Sequence, residues 1–262
     1  MKPLKFTPEM LTRKRPSRLD IETTLAHFAI ITYLVEPDAL RRHIPKRFEL
    51  DCITAPDGTQ KGLISTVPFV DQDFRFVRFP WAKWRFGQTN YRAYVTDSES
   101  GEHVVWFFGT ALDSFSVNIP RYAWKLPWHR ASIQFDSQYD TNQQRYTKYG
   151  LVAQSSWAPA TLELEDSGEP VQVLTGFPNL ETGLVLLTHP LRGFYYRRDG
   201  KIGSYTIWHD KLKMTEGRIV AARFPLLQRL GLVQTDDLTT IHSVLMQPEA
   251  HFTVYLPPVA IG

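Results

Sequence analysis

The run Val104-Val-Trp-Phe-Phe108 constrains this chain more than any other five residues in it. A strand with one wet face alternates apolar with polar residues, whereas an unbroken run of large apolar side chains reads as a strand buried on both faces. Gly109 relaxes the backbone behind it, and Asp113 and Ser114 are residue types that start helices. The spacing predicts a short helix ending near Lys125, because Pro120 lacks an N–H and is tolerated only in a first turn. Leu126-Pro-Trp-His-Arg130 stops that helix and turns the chain into another strand. Trp128, His129 and Arg130 either cap the core or carry polar groups to a pocket.

A second apolar run, Leu25–Val35, is the longest in the sequence, yet only about half a membrane span, and it contains His27. It reads as a core strand, and no membrane insertion is expected. The 262 residues are 43% hydrophobic and 13% aromatic, enough for a sizeable core, with the aromatic content favouring sheet. Cys52 is the single cysteine, which excludes an intrachain disulfide and zinc sites built from several cysteines. A cytoplasmic location follows as the expectation. The N-terminus has charge but no apolar stretch of the secretory type. Residues 1–18 hold six of the basic side chains and one acid, so the rest of the chain carries a formal charge of −2. The basicity therefore belongs to a tail, expected to be solvated. Residues 1–19 are read as that tail and 20–262 as one domain.

The remaining elements follow from local signals. Pro37–His43 is a short helix with Pro at its first position and Asp38 in its first turn. Phe48–Ile53 and Gly62–Val70 are extended, separated by the turn Ala55-Pro-Asp-Gly58. The aromatic and basic stretch from Phe74 to Gly87 is expected as a loop over the core, with cationic stems on aromatic rings. It carries no nucleic-acid motif, and nucleic-acid binding is not expected. Thr89–Thr96 is a strand whose polar face, Asn90, Arg92 and Tyr94, meets water or lines a cavity. Ser132–Tyr139 and Arg145–Tyr149 form a hairpin; Thr161–Glu165 and Val171–Leu174 read as another. Asn179 caps a helix to about Thr188, although Gly183 weakens it. Asp199-Gly200 joins Phe194–Arg198 to Ile202–Trp208 as a tight hairpin. A short helix over Phe224–Leu232 and strands over Ile241–Met246 and His251–Leu256 complete an α+β domain dominated by antiparallel sheet, curled toward a barrel.

Common catalytic motifs are absent: no phosphate-cradling glycine loop, no Gly-x-Ser-x-Gly, no His-Glu-x-x-His. The eight histidines are scattered, and no metal site is expected. Polar residues within apolar strands are the better clue, because burying them unpaired costs about 1–3 kcal/mol each. If Arg92 faces inward it needs an anion, either an internal carboxylate such as Asp113 or the carboxylate of a ligand.

The ordered series Phe28–Asp51, Asn90-Tyr-Arg-Ala-Tyr-Val95, Val105-Trp-Phe-Phe108, Asp113, Arg121 and Leu126-Pro127 resembles an uncharacterised bacterial family, a domain of unknown function in the acetoacetate decarboxylase-like superfamily. The likeness covers roughly residues 20–258. It implies a cone-shaped, mostly antiparallel β-barrel with a few short helices and a central pocket for a small carbonyl or carboxylate compound. In acetoacetate decarboxylase the Schiff-base lysine follows a proline. Here the comparable segment is Arg121-Tyr-Ala-Trp-Lys-Leu-Pro-Trp-His129, with Trp128 at the lysine position and Lys125 on the wrong side of the proline. The resemblance therefore carries over the fold and the pocket, but not an imine.

The expected protein is a binding barrel for a small anionic or carbonyl ligand, its alternative a lyase (decarboxylase, hydratase or aldolase) on a keto acid without a lysine imine. Arg92 would anchor the anion and Asn90 orient it, with Asp113, Arg121 and Trp128 around them. His129 or His209 would be the acid or base. No cofactor is expected, and self-association into a homo-oligomer is left open.

Overall fold

The two ends of the chain pair with each other. Ile21–Val35 and Ile241–Ile261 run antiparallel, with Ile21 opposite Val254 and Tyr33 opposite Ile241. The computed structural model describes residues 3–114, 122, 124–234 and 238–261. In chain order its strands are β1 (Ile21–Val35), β2 (Phe48–Leu50), β3 (Cys52–Thr54), β4 (Gln60–Phe76), β5 (Trp84–Asp97), β6 (His103–Leu112), β7 (Trp128–Arg130), β8 (Ser132–Asp140), β9 (Arg145–Gln154), β10 (Ala160–Pro170), β11 (Arg192–Tyr196), β12 (Ile202–His209), β13 (Thr215–Arg223) and β14 (Ile241–Ile261). The α-helices among the described residues are α1 (Pro8–Leu11), α2 (Pro37–Arg41), α3 (Leu180–Thr188) and α4 (Pro225–Arg229).

Seven strands close a ring in the order β1-β4-β5-β6-β11-β12-β14, returning to β1. Every pairing in the ring is antiparallel except β6 with β11. From β14 the sheet continues outward through β13, β10, β9 and β8. This outer layer folds back over the ring. Tyr91, Ala93, Val104 and Trp106 of the ring share one core with Tyr149, Leu151, Leu162 and Leu164 of the outer strands. A second core lines the inside of the ring, with Leu25, Phe28, Val67, Phe69, Val105 and Phe107 clustered with Leu186 and Leu187 of α3.

Two cores explain the organising run. Val104 and Trp106 point into the outer one, and Val105 and Phe107 into the inner one. None of the four exceeds 7% exposure, so the run has no wet face to spend on polar residues. Phe108 is half-buried at its end. β1 obeys the same logic, with one irregularity. His27 adopts φ 51°, and the ladder to β4 breaks there. The bulge brings both Leu25 and Phe28 to the inner face.

Helices α2, α3 and α4 and the Asp199-Gly200 hairpin lie where local signals put them. Asn179 caps α3 by accepting from the Thr182 N–H at 2.8 Å. Several other expectations are corrected. The Phe74–Gly87 stretch is half strand: β4 runs to Phe76, β5 starts at Trp84, Phe74 pairs with Trp84, and only residues 77–83 form the connection. Trp128–Arg130 is itself a short strand, parallel to β6. Val171–Leu174 is not a strand. β10 instead continues through Asp166-Ser-Gly to Pro170 and pairs with β13, which local pattern had not marked. Asp166 makes that continuation stable, accepting from Tyr146 N at 2.9 Å, Gly168 N at 3.0 Å and Thr215 Oγ1 at 2.8 Å. The last two expected strands are one, β14. The helix expected before Lys125 falls largely on residues 115–121 and 123, outside the described residues.

The basic N-terminal segment is tied to the body. The Leu4 and Phe6 N–H groups donate to Thr182 Oγ1 and Glu181 Oε1 at the start of α3, and Tyr255 donates to the Lys14 carbonyl at 2.9 Å. Lys211 lies 4.5 Å from the Phe6 ring centroid.

Candidate functional site

The inner face of the ring does not fill. It leaves a cavity of about 240 Å³. Its walls follow the period-two rule of strands. β4 contributes Val67, Phe69 and Asp71; β5 contributes Gln88, Asn90 and Arg92; β12 contributes Tyr205, Ile207 and His209. Four residues singled out from sequence thus meet at one cavity: Asn90, Arg92, Trp128 and His209. Two do not join them. Asp113 is exposed, and its carboxylate accepts from the Ile133 N–H at 3.3 Å. His129 is one residue past Trp128 on β7 and so takes the opposite face, stacking on Trp157 at 3.9 Å between ring centroids. Arg121 lies outside the described residues.

Arg92 is 8% exposed, and among the described residues no carboxylate lies within ion-pair distance of it. Its Nη2 donates to the Leu187 carbonyl at 3.0 Å and to the Tyr94 hydroxyl at 3.2 Å. Tyr94 in turn donates to the same carbonyl at 3.0 Å and meets Ser65, which meets Thr32. The Leu187 carbonyl in the last turn of α3 thus faces the guanidinium, an arrangement a helix C-terminus favours for a cation. A carbonyl does not neutralise it, and among the described residues its buried Nε has no hydrogen-bond partner. The internal ion pair with Asp113, one of the two sequence readings, is not formed.

Asn90 accepts through its side-chain oxygen from Gln88 at 2.9 Å and from Thr110 at 2.8 Å. Both lone pairs are occupied, which leaves its NH₂ as the group it can offer. Trp128 pairs alongside Thr110 and packs between the inner core and the Phe86–Leu112 cluster.

His209 is 1% exposed and donates through Nδ1 to the Asp210 carbonyl at 2.8 Å. Its ring stacks on Phe252 at 4.4 Å and meets His189 edge-on at 4.5 Å. Burial, then His189 and Arg92, push its pKa down to about 3. It is therefore a neutral imidazole at physiological pH and has no proton to give as an acid.

Asp71 was missed at the sequence level. It is 3% exposed, lines the cavity, and accepts from Thr23 Oγ1 at 2.7 Å. Burial pushes its pKa up to about 7, and the neighbouring Asp73 pushes the same way. A carboxyl poised there can give or take a proton near neutral pH. The signal was present in the alternation Val67, Phe69, Asp71, but ending the strand at Val70 hid it.

No lysine is among the described residues that line the cavity. Lys125 lies before Leu126, with φ 57° and a half-buried side chain. Among the described residues no group of three or more His, Cys, Asp or Glu is placed to hold a metal ion. No helix among them is long and apolar enough to cross a membrane.

A closed, mostly antiparallel ring with an internal cavity and an outer sheet layer is the acetoacetate decarboxylase-like fold. Over 95% of its length the chain is similar to the acetoacetate decarboxylase of Legionella pneumophila, with a TM-score of 0.59, 14% identity and 92% of that chain covered. An acetoacetate decarboxylase-like enzyme from Sphingomonas wittichii RW1 gives 0.62 at 9% identity over 93% of each chain. The enduracididine biosynthesis enzyme MppR, solved with pyruvate, gives 0.58 at 11% identity over 100% of this chain and 99% of that one. No curated protein matches the sequence. The chain belongs to the DUF2071 family, described as an uncharacterized conserved protein, whose pattern covers residues 22–251.

Proposed function

We propose that this ring binds a small carboxylate or carbonyl compound, without a lysine imine. Arg92 takes the anionic group and the Asn90 NH₂ orients it. The observation that carries this reading is the guanidinium itself: buried, at a cavity wall, with no carboxylate partner among the described residues and none there for Nε. Leaving such a charge uncompensated is expensive, and a ligand carboxylate relieves that cost with charge-assisted hydrogen bonds. The absence of lysine from the described lining supports the imine-free part. In the same reading the protein acts in the cytoplasm, which a lone half-buried Cys52 suits.

Isothermal titration with keto acids from pyruvate to phenylpyruvate is expected to give saturable binding for at least one member. Arg92→Gln lowers that affinity by about tenfold or more, with the far-UV spectrum unchanged. Borohydride reduction in the presence of the ligand leaves the protein mass unaltered. A reduced adduct on Lys125 or any other lysine would end the imine-free reading.

Asp71 favours a second reading, a lyase acting on a keto acid, because its carboxyl titrates close to neutral pH in the same cavity. Proton NMR of candidate keto acids incubated with the protein tests it. Turnover abolished by Asp71→Asn supports the lyase; no turnover of any keto acid retires it.

A further inference from the structure

The cavity is larger and more apolar than a three-carbon acid requires. Arg92 on β5 stands opposite Ser65 on β4, and Asp71 lies further along β4, opposite Phe86. At about 3.3 Å per residue the Arg92 and Asp71 backbones are roughly 20 Å apart. Between them the wall runs Val67, Asn90, Phe69, Gln88, so the hollow is long rather than round. Among the cavity-lining residues of β5, exposure falls from 43% at Trp84 to 8% at Arg92, so the mouth is at Trp84, beside the β4–β5 hairpin and beyond the buried Asp71, and the guanidinium is at the closed end.

Size argues the same way. A dry cavity of about 150 Å³ holds a benzene molecule. The 240 Å³ here takes an aromatic ring together with a short acidic chain. The lining chemistry matches that division. Phe28, Phe69, Phe107, Trp128 and Phe252 make the sides, and Arg92 supplies the positive charge at the closed end. Pyruvate would satisfy Arg92 and leave these rings facing water.

We infer that the ligand of this site is a monocarboxylic acid with an aromatic or medium-length alkyl body, bound carboxylate inward on Arg92 with its apolar end toward Trp84. This rests on the reading that Arg92 takes an anion, and the experiment separates the two. Acetate, butyrate, hexanoate, 3-phenylpropionate and the uncharged 3-phenylpropan-1-ol are titrated calorimetrically, with tryptophan fluorescence as a second readout, because Trp84, Trp124 and Trp128 line the cavity. Affinity is expected to rise about fourfold per methylene from butyrate to hexanoate. 3-Phenylpropionate binds about a hundredfold more tightly than acetate and about tenfold more tightly than the alcohol. Equal affinity for acetate and 3-phenylpropionate overturns this inference and leaves the anion site standing. Equal affinity for the acid and the alcohol overturns the anion site. Failure of every probe to bind overturns both.

Discussion

Asp71 places a carboxyl among phenyl rings, and its ionisation must cost the fold. An unfolded aspartate ionises near pH 4, while the folded one holds its proton until about pH 7. Between those values the folded chain binds a proton that the unfolded chain has lost, so stability falls as pH rises. Below pH 4 the group contributes nothing; above pH 7 the full penalty is present, about 4 kcal/mol for three units. Asp71→Asn removes the penalty while keeping a polar group for Thr23. Urea unfolding should show the variant gaining up to about 4 kcal/mol over the parent at pH 8 and little at pH 4. An increment equal at both pH values would show that Asp71 is not held neutral. Residue identity at this position was visible from the start. Its role was not, because desolvation depends on what the opposite wall of the ring brings up.

At the scale of elements, α3 shows two opposing effects at one residue. Gly183 is a poor helix former, and alanine there would gain about 1 kcal/mol of propensity. A Cβ at that position, however, would come within 2.6 Å of Leu174 Cδ1 and 3.0 Å of both Leu174 Cβ and Phe177 Cδ2. Overpacking typically costs about 1–3 kcal/mol, so it wins. Gly183→Ala should lower stability by up to about 2 kcal/mol net in denaturant titration. Because the Leu187 carbonyl holds Arg92, the variant should also weaken carboxylate binding. The helix itself was legible from its Asn179 cap. That its far end would receive a strand arginine was not, since Arg92 and Leu187 meet only after the ring forms.

At the scale of the whole molecule, the N-terminal segment acts as a strap. Its backbone bonds to Thr182, Glu181, His189 and Tyr255 tie it to α3, the residue that follows α3, and β14. Each partly exposed bond is worth about 0.5–1.5 kcal/mol. Removing residues 1–14 should therefore lower the unfolding free energy by about 2–6 kcal/mol, measured by urea denaturation. A truncated chain of unchanged stability would show that the segment rests on the surface without holding it.

What the amino-acid order determined by itself was local. Unbroken apolar runs demanded strands with two dry faces, alternation put Asn90 and Arg92 on one side, and Asn179 and Asp199-Gly200 marked a cap and a turn. Those signals act over a few residues, through backbone sterics and side-chain period. Tertiary structure decided which strands became neighbours: β1 with β14 across some two hundred residues, and β10 with β13 in place of a hairpin. Such pairings leave no local trace, because any two apolar strands satisfy the same rules until packing selects between them. The cavity, the neutral His209, the raised pKa of Asp71 and the guanidinium without a carboxylate among the described residues all arise from that selection.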